Sequence, residues 1–178
     1  MRKTIEILLI ILTVLLFLTA FISCKRNEAQ AQAAAAQRLS NSFTCVAQVV
    51  LDGKSYTVKL SKASPGMYTM SFTKPPELAP LSFELGSDGL KVKYGIIEAP
   101  VDPASIPQSA VFNALLGAFD SAAGKSGVHA VIKGQTILIN GDTQAGAFTL
   151  ALGNDFTPKE LDMSALKMKV TFSGFKYL

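Results

Sequence analysis

The sequence predicts a mainly β fold, in which a curved antiparallel sheet or half-open β-barrel is covered by one helix. Three observations predict it. From Ser42 onward, apolar and polar residues alternate with a period of two, which is typical of strands with one buried face. Turn residues separate the alternating runs. One run with a helical period interrupts them between Gln108 and Ala123. A β-sandwich with one helix is the alternative.

Five antiparallel strands are predicted between Ser42 and Ile96. The pairs Asp52-Gly53 and Pro65-Gly66 favour tight turns, and Lys74-Pro75-Pro76 ends the third strand because proline lacks a backbone donor. The residues on the predicted inward face of the second to fifth strands are Tyr56, Val58, Leu60, Tyr68, Met70, Phe72, Leu81, Phe83, Leu85, Leu90, Val92, Tyr94 and Ile96.

One helix is predicted near residues 104–123. Asp102-Pro103 and Pro107 suit helix starts. Val111, Leu115 and Phe119 share one face, and the sheet offers the large apolar surface that this face needs. We therefore expect the helix to pack on the concave side of the sheet. The flanking apolar residues are Phe112 and Leu116, and Asn113, Asp120 and Ser121 are placed on the far side.

Strands resume at Val128 and continue to the C-terminal segment, which gives nine or ten strands in all. Residues 42–178 are long enough to form one domain around a single core. The predicted strands of this second half are Val128–Lys133, Gln135–Asn140, Ala147–Leu152, Thr157–Met163 and Leu166–Phe172.

The N-terminal segment, Met1–Cys24, predicts an export signal. Arg2 and Lys3 precede an apolar run, Ile7–Ile22, and the small Ser23 stands before Cys24. This arrangement resembles a bacterial lipoprotein signal, which implies removal of residues 1–23 and a diacylglycerol on Cys24. An uncleaved membrane anchor is the alternative, although sixteen residues of helix reach only ~24 Å across a hydrocarbon core of ~30 Å.

Residues 24–41 predict an Ala/Gln-rich tether between this anchor and the domain. Alanine favours helix, but few large apolar residues could dock a helix here, so we expect at most a turn or two. The predicted location is outside the cytoplasm. The domain would be anchored through Cys24 to the outer face of the cytoplasmic membrane or to another envelope membrane.

Composition and motifs predict neither an enzyme nor a nucleic-acid-binding protein. Without residues 1–23 the chain carries 15 Lys and Arg and 12 Asp and Glu residues, a formal charge of +3 that is too small to indicate nucleic acid. His129 is the single histidine, and we interpret it as a surface or satisfied strand residue. The acidic residues beside turns have turn roles. No catalytic residue, metal site or cofactor is predicted, and we expect a monomer.

Cys45 falls within a predicted strand, where a lone cysteine is usually a small buried apolar residue. A reactive thiol is the less favoured interpretation, since no basic partner lies nearby in sequence. A disulfide with Cys24 is the alternative if Cys24 carries no lipid.

Several segments, taken with the order of elements, resemble the bacterial outer-membrane lipoprotein-carrier (Lol-type) superfamily. The order is a helix-like lead-in, a long antiparallel run, a proline-interrupted helix and a second antiparallel run. The resemblance implies a half-open barrel with a helical lid and a cavity that holds lipoprotein acyl chains. The segments that carry it are Tyr56–Leu60, Ser64–Tyr68, Lys74–Glu77, Phe156–Glu160 and Val170–Phe175.

Two functional hypotheses follow from the predicted fold. The first is a binding module that holds a lipid or the acyl chains of another lipoprotein between the helix and the sheet. The second is a structural or regulatory envelope lipoprotein with a packed interior that contacts a partner protein. The predicted apolar ligand site consists of Tyr56, Phe83, Val92, Tyr94, Val111, Leu115, Phe119, Phe148 and Leu150.

Overall fold

In a computed structural model, the described residues are 27–101, 107–124 and 127–178, and they form one sheet, two α-helices and two short 3-10 helices. The helices are α1, residues 27–40, and α2, Pro107–Ala123. The 3-10 turns are Pro76–Leu78 and Ser164–Leu166. The strands are β1 Phe43–Leu51, β2 Lys54–Ser64, β3 Met67–Lys74, β4 Leu81–Gly86, β5 Gly89–Tyr94, β6 Ile97–Pro100, β7 Val128–Lys133, β8 Thr136–Thr143, β9 Gly146–Leu152, β10 Pro158–Met163 and β11 Met168–Tyr177.

All eleven strands of the described chain belong to one curved antiparallel sheet in the order β6-β5-β4-β3-β2-β1-β11-β10-β9-β8-β7. β1 lies at the centre, where it pairs with β2 on one side and β11 on the other. The sheet is not closed, so β6 and β7 are its two edges. The predicted curved sheet with a covering helix is confirmed, and the sandwich alternative is wrong because there is no second sheet among the described residues.

The sheet contains one strand more than the upper limit of the prediction. Leu90–Ile96 was expected to continue as a single strand, but Tyr94 pairs with Ile97 across a turn formed by Gly95 and Ile96. Gly95 has a φ of +62°, a conformation that glycine adopts without steric cost. The turn is hard to detect in the sequence because the apolar alternation runs through it without a break.

Helix α1 differs from the predicted tether. Residues 27–40 are helical, and Ala31, Ala35 and Leu39 are buried in the common core. Their spacing of four residues places them on one face of the helix. The Gln32 side-chain amide also donates a hydrogen bond of 3.0 Å to the Val128 carbonyl at the start of β7. The prediction was wrong for these residues because small alanine side chains let a helix approach closely without a stripe of large apolar residues.

Helix α2 follows β6 and precedes β7, and therefore belongs to the connection between the two edges of the sheet. It packs on β8 so closely that a Cβ atom added at Gly117 would lie 3.4 Å from the Thr143 Cβ. The predicted start at residues 104–106, including Asp102-Pro103 before it, lies outside the described residues.

The predicted signal peptide, residues 1–23, and Cys24 also lie outside the described residues. None of the helices in the described part of the chain has both the length and the apolar character needed to span a bilayer.

Candidate apolar site beneath helix α2

Eight of the nine residues predicted to line an apolar site lie in or against one core cluster. Phe83, Val111, Leu115, Phe119, Phe148 and Leu150 are buried, and Tyr56 and Val92 are half-buried and packed against them. Tyr94 is the exception, with 53 % of its surface exposed. Burial falls along β5 from Leu90 to Tyr94 because this strand lies next to the edge of the sheet and Tyr94 stands at its last position.

Aromatic rings from α2 fill the concave side of the sheet. The Phe112 ring stacks on the Phe83 ring of β4 with 5.8 Å between centroids. Further along the helix, the Phe119 ring lies 5.0 Å from that of Phe43 and 5.5 Å from that of Phe172. These are favourable aromatic separations, each adding to the stabilisation from buried area. The helix therefore occupies the surface that a bound acyl chain would need.

A polar cluster that the sequence analysis missed joins both helices to the sheet. It consists of Lys62 on β2, Tyr68 on β3, Asp120 on α2 and the Leu39 carbonyl of α1, and we call it the Lys62 cluster. The buried Lys62 ammonium donates to the Leu39 carbonyl at 2.9 Å and lies 3.8 Å from Asp120 Oδ1. The Tyr68 hydroxyl donates to the same carboxylate oxygen.

Burial and the neighbouring Asp120 carboxylate shift the pKa values of two members of the Lys62 cluster, Lys62 and Tyr68. Burial lowers the pKa of Lys62, while the Asp120 carboxylate opposes that shift. Burial raises the pKa of Tyr68, and the hydrogen bond to Asp120 raises it further. The Tyr68 hydroxyl therefore keeps its proton at neutral pH. The Lys62 ammonium also lies 5.4 Å from the centroid of the Tyr68 ring, within the range of a cation–π contact.

The sequence contained a signal for Lys62 but not for Asp120. Lys62 continues the inward series Tyr56, Val58 and Leu60, so a lysine stands where the alternation expects a core residue. Asp120 was placed on the far side of the helix, which is wrong. It lies at the border of the buried face, with its side chain half exposed, because α2 is buried around most of its circumference.

Two clefts with volumes of about 300 and 360 Å³ lie elsewhere on the sheet, and neither is lined by α2. His129 is exposed at the first. Cys45 borders the second but is itself a free, buried residue, and burial raises the pKa of its thiol to about 12. The thiol is thus protonated at neutral pH and a poor nucleophile.

In the described residues, no group of three or more His, Cys, Asp or Glu side chains could hold a metal ion.

No protein-family model and no curated protein matches this chain. Among solved structures it is similar to an uncharacterized conserved protein from Thermus thermophilus, with a TM-score of 0.51 and 13 % identity over 84 % of this chain and 87 % of that one. A LolA superfamily protein from Nitrosomonas europaea has a TM-score of 0.45 and 8 % identity over 85 % of this chain and 94 % of its own. MucB in complex with MucA(peri) has a TM-score of 0.45 and 12 % identity over 83 % of this chain and 54 % of its own. At 13 % identity, the likeness to the Thermus protein shows a shared fold alone.

Proposed function

We propose that the protein is an exported lipoprotein, anchored to an envelope membrane through Cys24, that binds an apolar ligand between the sheet and α2. The ligand class is a lipid or the acyl chains of another lipoprotein. One observation carries the proposal, namely that the large apolar face of the sheet is covered by helices, with α2 as the larger apolar cover, and not by a second sheet. A helix can leave such a face as a unit, whereas a second sheet of equal area cannot do so without unfolding.

Binding at this site requires α2 to move, because its rings occupy the concave face. Phe112 and Phe119 contact rings of three different strands, β1, β4 and β11, so an acyl chain would have to replace those contacts with its own. The Lys62 cluster is the polar part of the same interface, and Asp120 would lose its Tyr68 and Lys62 partners when the helix leaves. From the sequence, we expect α2 to hinge at its two flanks, Asp102–Pro107 with its prolines and Gly124–Gly127 with its glycines, and these flanks lie largely outside the described residues.

Site-resolved photolabelling tests the ligand site. Cells that produce the full-length chain would be fed a fatty acid with a photoreactive chain, irradiated, and the labelled peptides mapped by mass spectrometry. The proposal predicts labels on β4 and α2, at residues such as Phe83 and Leu115. A matched control is the outer face of β1 and β2, for example Gln48 and Lys59, which are exposed and should remain unlabelled. Labels confined to exposed residues would contradict the proposal.

The anchor has an independent test. A Cys24→Ala chain should remain an unprocessed precursor, because the cysteine supplies the thiol that carries the lipid. Mass spectrometry of the protein extracted from membranes decides between the two attachments. A wild-type protein that begins at Met1 with an unmodified Cys24 would instead favour the uncleaved anchor.

A second candidate function is supported by the same ring contacts. A sheet and helix that stay packed would form a solid module, which suits a structural or regulatory lipoprotein that contacts a partner protein with its outer surface. Photolabelling separates the two candidates. The absence of label on β4 and α2, together with a partner recovered by cross-linking from intact cells, would favour this second function.

A further inference from the structure

The β5–β6 hairpin carries an apolar tip that the core does not use. Tyr94, Ile96 and Ile97 lie within four consecutive residues, and we call them the apolar tip. Ile96 is fully exposed, and Tyr94 and Ile97 are 53 % and 67 % exposed. Tyr94 and Ile97 are cross-strand partners with their side chains on one face of the hairpin, while Ile96 stands in the turn between them.

The turn itself does not require an isoleucine. Two-residue hairpin turns favour glycine, asparagine and aspartate, which tolerate the positive φ angles that these turns require. Other two-residue turns of this sheet carry no large apolar residue, as in Asp52-Gly53 between β1 and β2, Ser87-Asp88 between β4 and β5 and Gly134-Gln135 between β7 and β8. In Gly95-Ile96 the glycine supplies the conformational freedom, so the exposed Ile96 has no role in shaping the turn.

The apolar tip is held in a fixed position. The Gly95 amide donates to the Pro80 carbonyl at 3.1 Å, which ties the turn to the connection between β3 and β4. On the other face of the hairpin the Lys93 ammonium lies 2.8 Å from a Glu84 carboxylate oxygen and 3.3 Å from one of Glu98. These ion pairs compensate the Glu84 and Glu98 carboxylates on that face.

The tip lies at the rim of the sheet by which the N-terminal segment reaches the domain. Because neighbouring strands are antiparallel throughout, the β5–β6 turn and the first residue of β7, Val128, lie at the same rim. Gln32 of α1 hydrogen-bonds to Val128, and the first described residue precedes Gln32 by only five positions. Cys24 stands three residues earlier still, a span of at most ~11 Å when extended.

The geometry points to a second membrane contact, in which the apolar tip inserts into the interface of the lipid bilayer that holds the N-terminal segment. Three side chains are too few for a specific protein interface, which needs ~800 Å² from each partner. Three side chains suffice for contact with a bilayer. The N-terminal attachment already keeps the tip close to the bilayer, so the tip binds at a high effective concentration. Tyrosine is enriched at membrane–water interfaces, where its ring lies among apolar groups and its hydroxyl reaches water. The inference needs the N-terminal attachment but no ligand beneath α2.

A single tryptophan at the tip tests the inference, because the natural chain contains none. The full-length Ile96→Trp protein would be reconstituted in vesicles of phosphatidylcholine and phosphatidylglycerol, with and without lipids brominated near the glycerol end of the acyl chains. We expect blue-shifted emission and at least a twofold loss of intensity with the brominated lipids. The matched control is Met67→Trp, since Met67 is 48 % exposed beside the β2–β3 turn at the opposite rim. Its emission should stay solvent-like and unquenched.

Ile97→Trp provides a second reporter on the same face if the first variant folds poorly. Emission from both tip variants that matches the Met67→Trp control would overturn the inference. A blue shift without quenching by brominated lipid would overturn it as well, because the tip would then contact protein. Failure here leaves photolabelling of β4 and α2 unchanged, so it is distinguishable from failure of the proposed function.

Discussion

Helices α1 and α2 are both buried against the apolar side of one sheet, yet they achieve this with different side chains. α2 inserts large groups such as Phe112, Leu115 and Phe119. α1 buries three alanines and one leucine, Leu39, and adds hydrogen bonds from Gln32 and to the Leu39 carbonyl. Apolar periodicity in the sequence therefore detects the docking of α2 but not that of α1, because alanine contributes close approach instead of apolar area.

The two helices also share one point of attachment. Lys62 donates to α1 and pairs with Asp120 of α2, and Tyr68 hydrogen-bonds to the same carboxylate. Removal of α2 from the sheet would therefore leave the Lys62 ammonium with its α1 partner but without its counter-charge. Departure of α2 would break the ion pair and the Tyr68 hydrogen bond to Asp120, so this cluster favours the arrangement in which α2 is packed on the sheet.

The largest effect is expected from a charge on the inward face of α2. Phe119→Asp would bury a carboxylate beside Phe43 and Phe172, which should lower the free energy of unfolding by more than ~4 kcal/mol and leave the domain largely unfolded. Urea unfolding of the full-length protein in mild detergent, followed by circular dichroism, measures it. Asn113→Asp introduces the same charge at an exposed position of α2 and should change stability by less than ~0.5 kcal/mol.

A matched leucine pair compares the helices directly. Leu39 of α1 and Leu115 of α2 are both fully buried, so each leucine-to-alanine change should cost ~2–5 kcal/mol through lost burial and the cavity left behind. Urea midpoints of the two variants provide the measurement, with the exposed Gln37→Ala as the α1 control. A Leu39→Ala cost below ~0.5 kcal/mol would mean that α1 is not docked and that the tether interpretation is correct.

A smaller effect is expected from Tyr68→Phe, which removes the hydroxyl that donates to Asp120 while keeping the ring over Lys62. A hydrogen bond to a charged group contributes ~1.5–3 kcal/mol, and that amount should be lost at neutral pH. Tyr56→Phe is the control, because Tyr56 packs on Phe72 outside the Lys62 cluster. Equal costs for the two variants would show that the Tyr68 hydroxyl contributes nothing specific.

The same variant should alter the response to alkaline pH. The pKa of Tyr68 is raised by burial and by Asp120, so above pH 10 the unfolded chain releases this proton while the folded chain retains it. The contribution of Tyr68 is therefore fully present below pH 10 and declines by up to ~1.4 kcal/mol for each further pH unit. Unfolding between pH 9 and 11 should show a shallower decline for Tyr68→Phe than for the wild type. If the free energy of unfolding falls equally with pH in both proteins, the decline does not come from Tyr68.

Much of the fold could be predicted from the sequence because one face of the sheet is buried. A period of two fixes which residues point inward, and Val58, Leu60, Met70 and Phe83 are all in the core as that period requires. The helical stripe of α2 was equally clear. The β5–β6 turn was not, since Ile96 preserves the alternation where a polar turn residue would have interrupted it.

The polar part of the site was less accessible to sequence reasoning. Lys62 occupies an inward position, but its partners come from α1, β3 and α2, which are distant in the chain, and no local pattern brings them together. The alanines of α1 indicate a helix through their propensity, but they form no stripe of large apolar residues that would indicate where the helix packs. Such contacts depend on tertiary placement, which periodicity does not encode.

The most direct measurement of the central claim is ligand capture with α2 fixed to the sheet. Gly117→Cys with Thr143→Cys places two cysteines where the Cβ separation is 3.4 Å, close to the ~3.5–4.5 Å of a disulfide. The photoreactive fatty acid should label β4 and α2 in the reduced double variant and not in the oxidised one, while each single variant labels in both states. Equal labelling of the oxidised and reduced double variant would contradict the claim that the ligand enters by displacing α2.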